Sequence, residues 1–453
     1  MQRGCGRVLK DKKRKINKRL VLLILLALGI RFALINLNHP LDLQTWHGLF
    51  VDLNQEQSPY STLEKLTYEA RATQGVGWSQ YYMYFAYPPM LIPIYYPLAK
   101  LYGVFYSTEQ INFSIAGVDP YPQVPLLLNF LFKLPIILAD IGIALLLYKM
   151  TKRSEKSMVA YLFNPLVIFV SACWMFDSIA VFFLLLATYL FERKRYDLSA
   201  VALSFGFLTK IIPIFALPLF CIELIRKKSW KFLRYALVFG AVSALVILPF
   251  WSGVKLSLEF QSAREPSGLT PLNFHYMFGI FGGLSEQSLL QLKFVILPAV
   301  ASFILVIGMS LIYAYLSKKE ISLRQKLLMV FLVYSICAKN LHEPHVLILI
   351  PFLILELNER YSFDKKWQYR LLWILPFIYA IVAVPITRFL YGYTMNMNIL
   401  YLFGLPLLAK GVVIGAVVIM FHLVLWNALI TLIRGRPVVS LEELRRRLKN
   451  EKK

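Results

Sequence analysis

Long apolar segments alternate with short basic clusters along almost the whole chain. Each apolar segment is about 17–25 residues long, the length of a membrane-spanning helix, or divides into a pair of shorter runs. The clusters hold 37 of the 49 Lys and Arg residues and occupy residues 3–19, 149–156, 193–195, 226–234, 318–326, 360–370 and 434–453. This pattern predicts an all-α, polytopic membrane helix bundle.

The positions of the basic clusters predict how the bundle is oriented. Lys and Arg concentrate in cytoplasmic loops, so the clusters mark one side of the bilayer and both termini are expected in the cytoplasm. A formal net charge of +24 could also indicate a nucleic-acid partner, but charge confined between apolar spans favours a topology signal, and no nucleic acid is expected. With 58% hydrophobic and only 16% charged residues, the composition excludes an ordinary soluble domain. The pattern does not separate a prokaryotic plasma membrane from the endoplasmic reticulum.

The first span and a large outer loop follow from this orientation. Residues 1–18 form a basic tail, and the length of the span near 19–37, together with Arg31 inside it, favours an uncleaved helix over a signal peptide. The segment 126–149 ends in a basic cluster and must run inward, so residues 38–125 are predicted to stay outside. The apolar block Tyr81–Leu101 within that loop contains four prolines, which favour an interfacial or re-entrant helix.

The pattern predicts about 12 spans in all, several of them short for a 30 Å hydrocarbon layer. The later spans are expected near residues 158–174, 177–191, 198–209, 211–225, 232–250, 292–316, 326–339, 346–358, 369–387 and 405–432. Residues 19–250 then form a first transmembrane module, which would carry the active site, and residues 251–291 a second outer loop. A C-terminal transmembrane module (292–432) and a basic tail (433–453) complete the chain.

Acidic residues stand out at two predicted outer helix ends. Asp42 follows the first span, with Trp46 one helical turn further on. A carboxylate at this depth can act as a general base, although Asp is also a good helix N-cap. Asp177 lies in the short turn between two apolar runs, and the same two interpretations apply.

A third polar group lies between two later apolar runs. It contains Lys339, His342, Glu343 and His345, which are costly at a membrane surface unless they are solvated or used. The two histidines have an unspecific spacing for a metal site, and donation to a phosphate is the favoured role. Arg264 in the second outer loop is a further phosphate candidate, because Arg binds phosphate in a planar fork.

A carboxylate inside a predicted span and the absence of nucleotide-binding motifs restrict the possible functions. Asp140 lies inside the span 126–149, where a carboxylate is normally paired or functional. No Walker loop, dinucleotide fingerprint or D-x-D motif is present, so a sugar donor would not be a nucleotide. No metal-ligand spacing occurs, but a divalent cation (Mg²⁺ or Mn²⁺) held between Asp42 and Asp177 is left open as a cofactor.

A series of short motifs in one order resembles the GT-C superfamily of integral-membrane glycosyltransferases. It is most similar to the dolichyl-phosphate-glucose glucosyltransferases of the N-glycan pathway and to related lipid-phosphate mannosyltransferases. The motifs, within residues 20–355, are Asp42-Leu-Gln-Thr-Trp46, Tyr87-Pro-Pro-Met-Leu, Phe132 to Asp140, Leu162-Phe-Asn-Pro-Leu, Trp174-Met-Phe-Asp177-Ser, Leu208-Thr-Lys210-Ile-Ile-Pro213, Leu248-Pro-Phe and Leu341-His342-Glu343.

The resemblance implies a GT-C bundle whose outer or lumenal site transfers a hexose from a polyprenyl (dolichyl) phosphate to a lipid-linked oligosaccharide or other glycan acceptor. Asp42 stands at the position of the family's catalytic base. His342 and Glu343 match the family's His-Glu-Lys pattern, in which Pro344 replaces the Lys. Asp177 replaces the Gln usual in the glucosyltransferases, which leaves glucose and mannose both open.

A secondary transporter or lipid flippase is the alternative from another functional class. Such a protein would use buried Asp140 and the outer acids to bind its substrate, with broken helices near the midplane and internal symmetry. The polar groups here gather at outer helix ends instead, and no internal repeat is evident, so the sequence favours the transferase.

The charge pattern makes a testable prediction of topology. In sealed cells, single cysteines placed at Asn112 and Pro271 should react with a membrane-impermeant reagent, whereas a cysteine at Lys152 should react only after permeabilisation. If the cysteine at Asn112 reacted only after permeabilisation, the outer placement of residues 38–125 would be wrong.

Overall fold

The computed structural model describes residues 18–61, 63, 85–106, 125–263, 266–274, 288, 291, 295–360, 367–383 and 407–434. The α-helices are α1 (Lys18–Ala33), α2 (Pro40–Asn54), α3 (Leu91–Phe105), α4 (Leu126–Met150), α5 (Glu155–Leu162), α6 (Pro165–Ala172), α7 (Asp177–Glu192), α8 (Tyr196–Thr209), α9 (Leu217–Arg226), α10 (Lys231–Ile247), α11 (Trp251–Ala263), α12 (Leu297–Ser317), α13 (Leu323–Cys337), α14 (Leu349–Arg360), α15 (Trp367–Ala383) and α16 (Leu407–Arg434). Short 3-10 helices occupy Ile212–Ala216, Leu248–Phe250, Pro271–Phe274 and Glu343–Ile348. Strands β1 (Ser267–Gly268) and β2 (Asn340–Leu341) pair in parallel. The predicted all-α class is confirmed.

Several of these helices have the length and composition of membrane spans. Within the described ranges four helical stretches qualify, at Leu126–Met150, Lys231–Glu259, Leu297–Ser317 and Ala409–Arg434. They support the prediction of a membrane protein. The stretch Lys231–Glu259 joins α10 and α11 through the 3-10 turn Leu248–Phe250, so the helical path continues past residue 250, where the sequence pattern predicted its end.

Other predicted spans are broken, and the breaks follow from local sequence. The predicted span 158–174 divides into α5 and α6 at Asn164 and Pro165. The Asn164 side chain accepts hydrogen bonds from the backbone N–H groups of Leu166 and Val167, at 3.0 and 3.4 Å. Pro165, at the first helical position, has no N–H to leave unpaired, so the pair starts a new helix.

The proline-rich segment that the sequence predicts to lie outside the membrane forms a helix of intermediate length. α3 begins at Leu91, after Pro88 and Pro89, and contains Pro97. It packs along α2. The first residues of the predicted interfacial block Tyr81–Leu101 lie outside the described residues, as does the labelling position Asn112.

The ends of four helices meet around one arginine. Arg324 at the start of α13 donates to the carboxylate of Glu192 at 2.6 Å and to that of Glu359 at 2.5 Å. It also donates to the Met150 carbonyl oxygen at 3.2 Å. Since the predicted cytoplasmic clusters flank these positions, we call this the basic end of the bundle. The opposite ends of α7 and α13 lie about 20–25 Å away, at 1.5 Å per residue.

A buried ion pair joins α1 to α4 inside the bundle. Asp140 accepts hydrogen bonds from Arg31 Nε at 3.0 Å and Nη2 at 2.9 Å, and from the Tyr161 hydroxyl at 3.3 Å. The Arg31 and Asp140 side chains are 2% and 0% exposed. Of the two roles that the sequence allowed for Asp140, the structure shows the paired one. The ion pair fixes the first helix against the bundle.

We expect Asp140→Asn to destabilise the protein strongly. The amide keeps the shape but leaves the Arg31 charge buried without its counter-ion, which costs about 3–5 kcal/mol. Unfolding in mild detergent measures the effect. Glu56→Gln is the control, because Glu56 pairs with Lys100 but is 75% exposed, and such pairs contribute about 0–1 kcal/mol. Equal small losses in both variants would contradict a structural role for the Arg31–Asp140 pair.

Candidate functional site

A cavity of about 520 Å³ lies at the end of the bundle opposite the basic end. Segments far apart in sequence supply its wall, from His39 after α1 to Ala383 at the end of α15. Among the residues predicted from sequence, those that line it are Tyr87, Asp177, Lys210, Lys339, His342, Glu343 and His345. The structure therefore brings residues of four separate sequence motifs into one cavity.

Asp177 and Lys210 form an ion pair in the cavity wall. The Lys210 Nζ lies 2.5 Å from Asp177 Oδ1 and 5.3 Å from the centroid of the Phe176 ring. The Lys210 side chain is 15% exposed and the Asp177 side chain is 5% exposed. Asp177 is the first residue of α7 and Phe176 occupies the cap position, so the N-cap interpretation of Asp177 is wrong. Its negative charge still suits the positive end of the helix dipole.

An unusual turn directs this pair into the cavity. Trp174, just before α7, has a φ of 65°, a conformation that costs a non-glycine residue about 1–3 kcal/mol. Its indole stacks on Phe132 with 4.6 Å between ring centroids, and its Nε1 donates to Asn129 Oδ1 at 2.9 Å. These buried contacts with α4 hold the turn, after which Phe176 and Asp177 reach the cavity wall.

The same face of α4 holds the connection between α1 and α2. Lys133 Nζ donates to the carbonyl oxygens of Ile35 and Leu37, the latter at 2.7 Å. Asn129 Nδ2 donates to Asn36 Oδ1 at 3.2 Å. These bonds fix the backbone directly before His39, which lines the cavity, and before the start of α2.

Trp46 forms the aromatic backing of the cavity, behind Tyr87 in its wall. The Trp46 ring is fully buried, stacks on Tyr87 at 5.3 Å and meets the edge of Phe176 at 4.9 Å. Tyr60 donates its hydroxyl hydrogen to the Tyr87 carbonyl oxygen at 2.6 Å. Burial raises the pKa of the Tyr60 phenol above its usual value, so this donor stays protonated at neutral pH.

Asp42 lies in the first turn of α2, between His39 and Trp46 along the chain. His39 lines the cavity, and Trp46 packs behind its aromatic wall. The Asp42 side chain lies outside the described residues. Its assignment as a catalytic base therefore stays a prediction.

The two-stranded parallel sheet positions the histidines. β2 runs directly into His342, whose Nε2 lies 3.1 Å from the Ser267 Oγ on β1. His345 Nδ1 lies 3.1 Å from the Asn340 carbonyl oxygen and 3.3 Å from the backbone N of His342. The two imidazole rings lie edge to face, with 5.7 Å between their centroids.

The sheet also joins the α11 segment to the cavity. Lys339 Nζ donates to the Ser262 carbonyl oxygen at 2.6 Å. The Leu269 N–H donates to the Leu341 carbonyl oxygen at 2.6 Å, and His422 Nε2 on α16 lies 2.9 Å from the Leu269 carbonyl oxygen. A short segment of the predicted second outer loop is thus fixed between the histidine segment and the last helix.

Some predicted residues lie elsewhere. Asp140 is buried against Arg31 and does not line the cavity. Arg264 lies outside the described residues. His39 and Tyr334 line the cavity but were not predicted as site residues. Each is a polar residue close to the predicted outer end of an apolar run. That pattern is too common in a membrane protein to identify a site residue.

The described side chains include no group of three or more His, Cys, Asp or Glu residues arranged to hold a metal ion. Carboxylate, ammonium and imidazole groups instead surround a partly aromatic cavity. Such a set can bind a phosphate, accept hydrogen bonds from hydroxyl groups and stack on a sugar ring.

No model of a known protein family matches the chain. No curated protein matches it at a significant level of sequence similarity.

The sheet geometry predicts a strong effect for one small substitution. Gly268 has a φ of 85°, and a Cβ atom there would lie 2.3 Å from the Leu341 carbonyl oxygen. Gly268→Ala should lower the free energy of unfolding by about 1–3 kcal/mol, measured by denaturant unfolding in detergent. Gly240→Ala is the control, since a Cβ there meets nothing within 4 Å. A Gly268→Ala protein as stable as the control would contradict the β1–β2 pairing.

Proposed function

We propose that the protein is a GT-C-type glycosyltransferase that transfers a hexose from a polyprenyl-phosphate donor to a hydroxyl group of a lipid-linked oligosaccharide or other glycan. The observation that carries the proposal is the cavity in which the Asp177–Lys210 pair, His342, His345 and Lys339 converge. The ordered series of sequence motifs supports the same function. The approximately 12-span architecture and an outer or lumenal site in a prokaryotic plasma membrane or endoplasmic reticulum membrane belong to this proposal.

The reaction requires one bond to form and one to break. The acceptor oxygen bonds to the anomeric carbon while the bond from that carbon to the phosphate oxygen breaks. The phosphate leaves with the electron pair, and the acceptor proton goes to a carboxylate base. A single displacement of this kind inverts the anomeric centre. A polyprenyl phosphate is already a good leaving group, so the site needs no strong general acid.

Asp42 is the proposed base. It lies in the first turn of α2. Along the chain it stands between His39, which lines the cavity, and Trp46, which packs behind the aromatic wall. The α1–α2 connection before it is fixed by Lys133, so its backbone has a defined position. A positioned carboxylate typically accelerates proton transfer by about 10²–10⁴-fold.

Lys210 is the proposed principal cation for the departing phosphate, with His342, His345 and Lys339 as further donors. Its ammonium group is held in the wall by Asp177 and stays partly accessible. Asp177 therefore acts as a positioning residue for Lys210 in this scheme, rather than as the second catalytic carboxylate that its place at an outer helix end also allowed. Donors fixed before the reaction stabilise developing negative charge without reorganising.

The sugar ring has a natural platform in the same cavity. Tyr87 and Phe176 line the cavity wall and are backed by Trp46. Glu343 lines the same cavity and is 9% exposed, so its carboxylate can accept hydrogen bonds from sugar hydroxyl groups. The transferred hexose is glucose or mannose. A requirement for Mg²⁺ or Mn²⁺ between Asp42 and Asp177 would show as a loss of transfer when a chelator is added.

Asp42→Asn tests the proposal in a transfer assay. Purified protein is incubated with polyprenyl-phosphate glucose or mannose and a lipid-linked oligosaccharide. The variant should fold normally but transfer sugar about 10²–10⁴-fold more slowly, because the amide cannot accept the proton. Asp52→Asn is the matched control, since it makes the same change about 15 Å further along α2.

Two results would contradict the proposal. An Asp42→Asn variant with full transfer would remove the base from the mechanism. Wild-type protein that transfers no sugar but moves a labelled lipid or solute across proteoliposomes would instead support the transporter alternative.

A further inference from the structure

A second concavity, of about 470 Å³, lies near the basic end of the bundle, far from the first cavity. Its wall comes from the start of α8 and the start of α10. Four of its lining residues are cationic, namely Lys194, Arg195, Lys231 and Arg234, and one is acidic, Asp197. We call this concavity the basic pocket.

The basic pocket is built by contacts between its own residues. Arg234 Nη2 donates to Asp197 Oδ2 at 2.7 Å, and both side chains are exposed to solvent. The Lys231 ammonium lies 5.5 Å from the centroid of the Tyr196 ring. Lys194 occupies the turn between α7 and α8 with a φ of 62°. One carboxylate offsets only one of the four cations, so an excess of positive charge faces a shared space.

Backbone donors add to this charge. α8 begins at Tyr196, and no side chain caps its first turn. The first N–H groups of an α-helix have no acceptor within the helix and carry the positive end of its dipole. Asp197 and Leu198 in this turn both line the pocket. The combination of guanidinium, ammonium and helix N–H groups is the set that binds phosphate.

The surface next to the pocket is apolar and belongs to a helical stretch that is long enough to span a membrane. Trp230, which precedes α10, is 82% exposed, as is common for aromatic residues at the headgroup level. Leu237 lies one helical turn beyond Arg234 and is 63% exposed. It belongs to the helical stretch Lys231–Glu259, which is long and apolar enough to cross a membrane. An acyl or prenyl chain attached to a phosphate in the pocket could follow this surface.

We propose that the basic pocket binds the phosphate group of an anionic membrane lipid. The basic end is the one that the charge pattern predicts to face the cytoplasm, where anionic headgroups attract basic segments next to the membrane. The apolar face of α10 favours a lipid over a free phosphate, which shares the same headgroup chemistry. This binding is independent of the sugar transfer proposed for the first cavity.

Native mass spectrometry of the full chain in detergent tests the proposal with defined lipids. Phosphatidylglycerol should bind with at least about tenfold higher affinity to the wild-type protein than to the double variant Lys194→Gln and Lys231→Gln, because hydrogen bonds to charged groups are lost. Both changes leave the Arg234–Asp197 pair intact. Phosphatidylcholine should bind more weakly than phosphatidylglycerol, since its choline cation is repelled by the pocket.

The matched control is the double variant Lys318→Gln and Lys319→Gln. These two lysines are exposed after α12 and do not line the pocket. The control should bind phosphatidylglycerol like the wild type. Equal weakening in both double variants would overturn the proposal, because attraction would then depend on total charge. Unchanged binding in Lys194→Gln and Lys231→Gln would overturn it as well.

A competition arm separates the two sources of phosphate. Inorganic phosphate at millimolar concentration should leave the phosphatidylglycerol complex in place if the lipid chain contributes to binding. Displacement by inorganic phosphate would support the phosphate site but overturn its assignment to a lipid. Thermal unfolding of each variant confirms that lost binding does not come from lost folding.

Discussion

The bundle depends on the satisfaction of polar groups along one face of α4. Asn129, Lys133 and Asp140 are spaced at four and seven residues, which places them on one side of an otherwise apolar helix. All three are essentially fully buried. A polar or charged group without a partner in such surroundings costs several kcal/mol, so each must meet a partner from another segment. The positions of those segments are thereby fixed.

Each polar group of α4 binds a different part of the site's framework. Asp140 binds Arg31 of α1, Lys133 binds carbonyl groups of the α1–α2 connection, and Asn129 binds the Trp174 indole. These contacts therefore fix three segments to α4: the first helix, the start of α2 and the turn before α7. The cavity wall that these segments form can keep its geometry although it is made from short and broken elements.

Broken helices place polar side chains at the cavity instead of carrying them past it. Thr209 ends α8, so the extended Lys210 can turn its side chain to Asp177. α13 ends at Cys337, and the chain continues as β2, which pairs with β1 and presents His342. Helix ends leave backbone groups unsatisfied, and here the sheet and short 3-10 helices provide part of the missing hydrogen bonding. The same breaks that make these spans short thus create the site.

The sequence by itself determined the helical class, the membrane-like composition and the positions of most helices, because apolar length and basic clusters are local properties. It also marked Asp177 and His342, since polar residues at the ends of apolar runs are conspicuous, and it placed Lys210 in one of the ordered motifs. Only the tertiary structure decided that these residues share one cavity and that Asp140 pairs with Arg31. Such pairings join residues more than thirty positions apart, and no periodic pattern encodes which distant segment will satisfy a buried charge. Local sequence sets where a polar group must find a partner, and packing in three dimensions selects the partner.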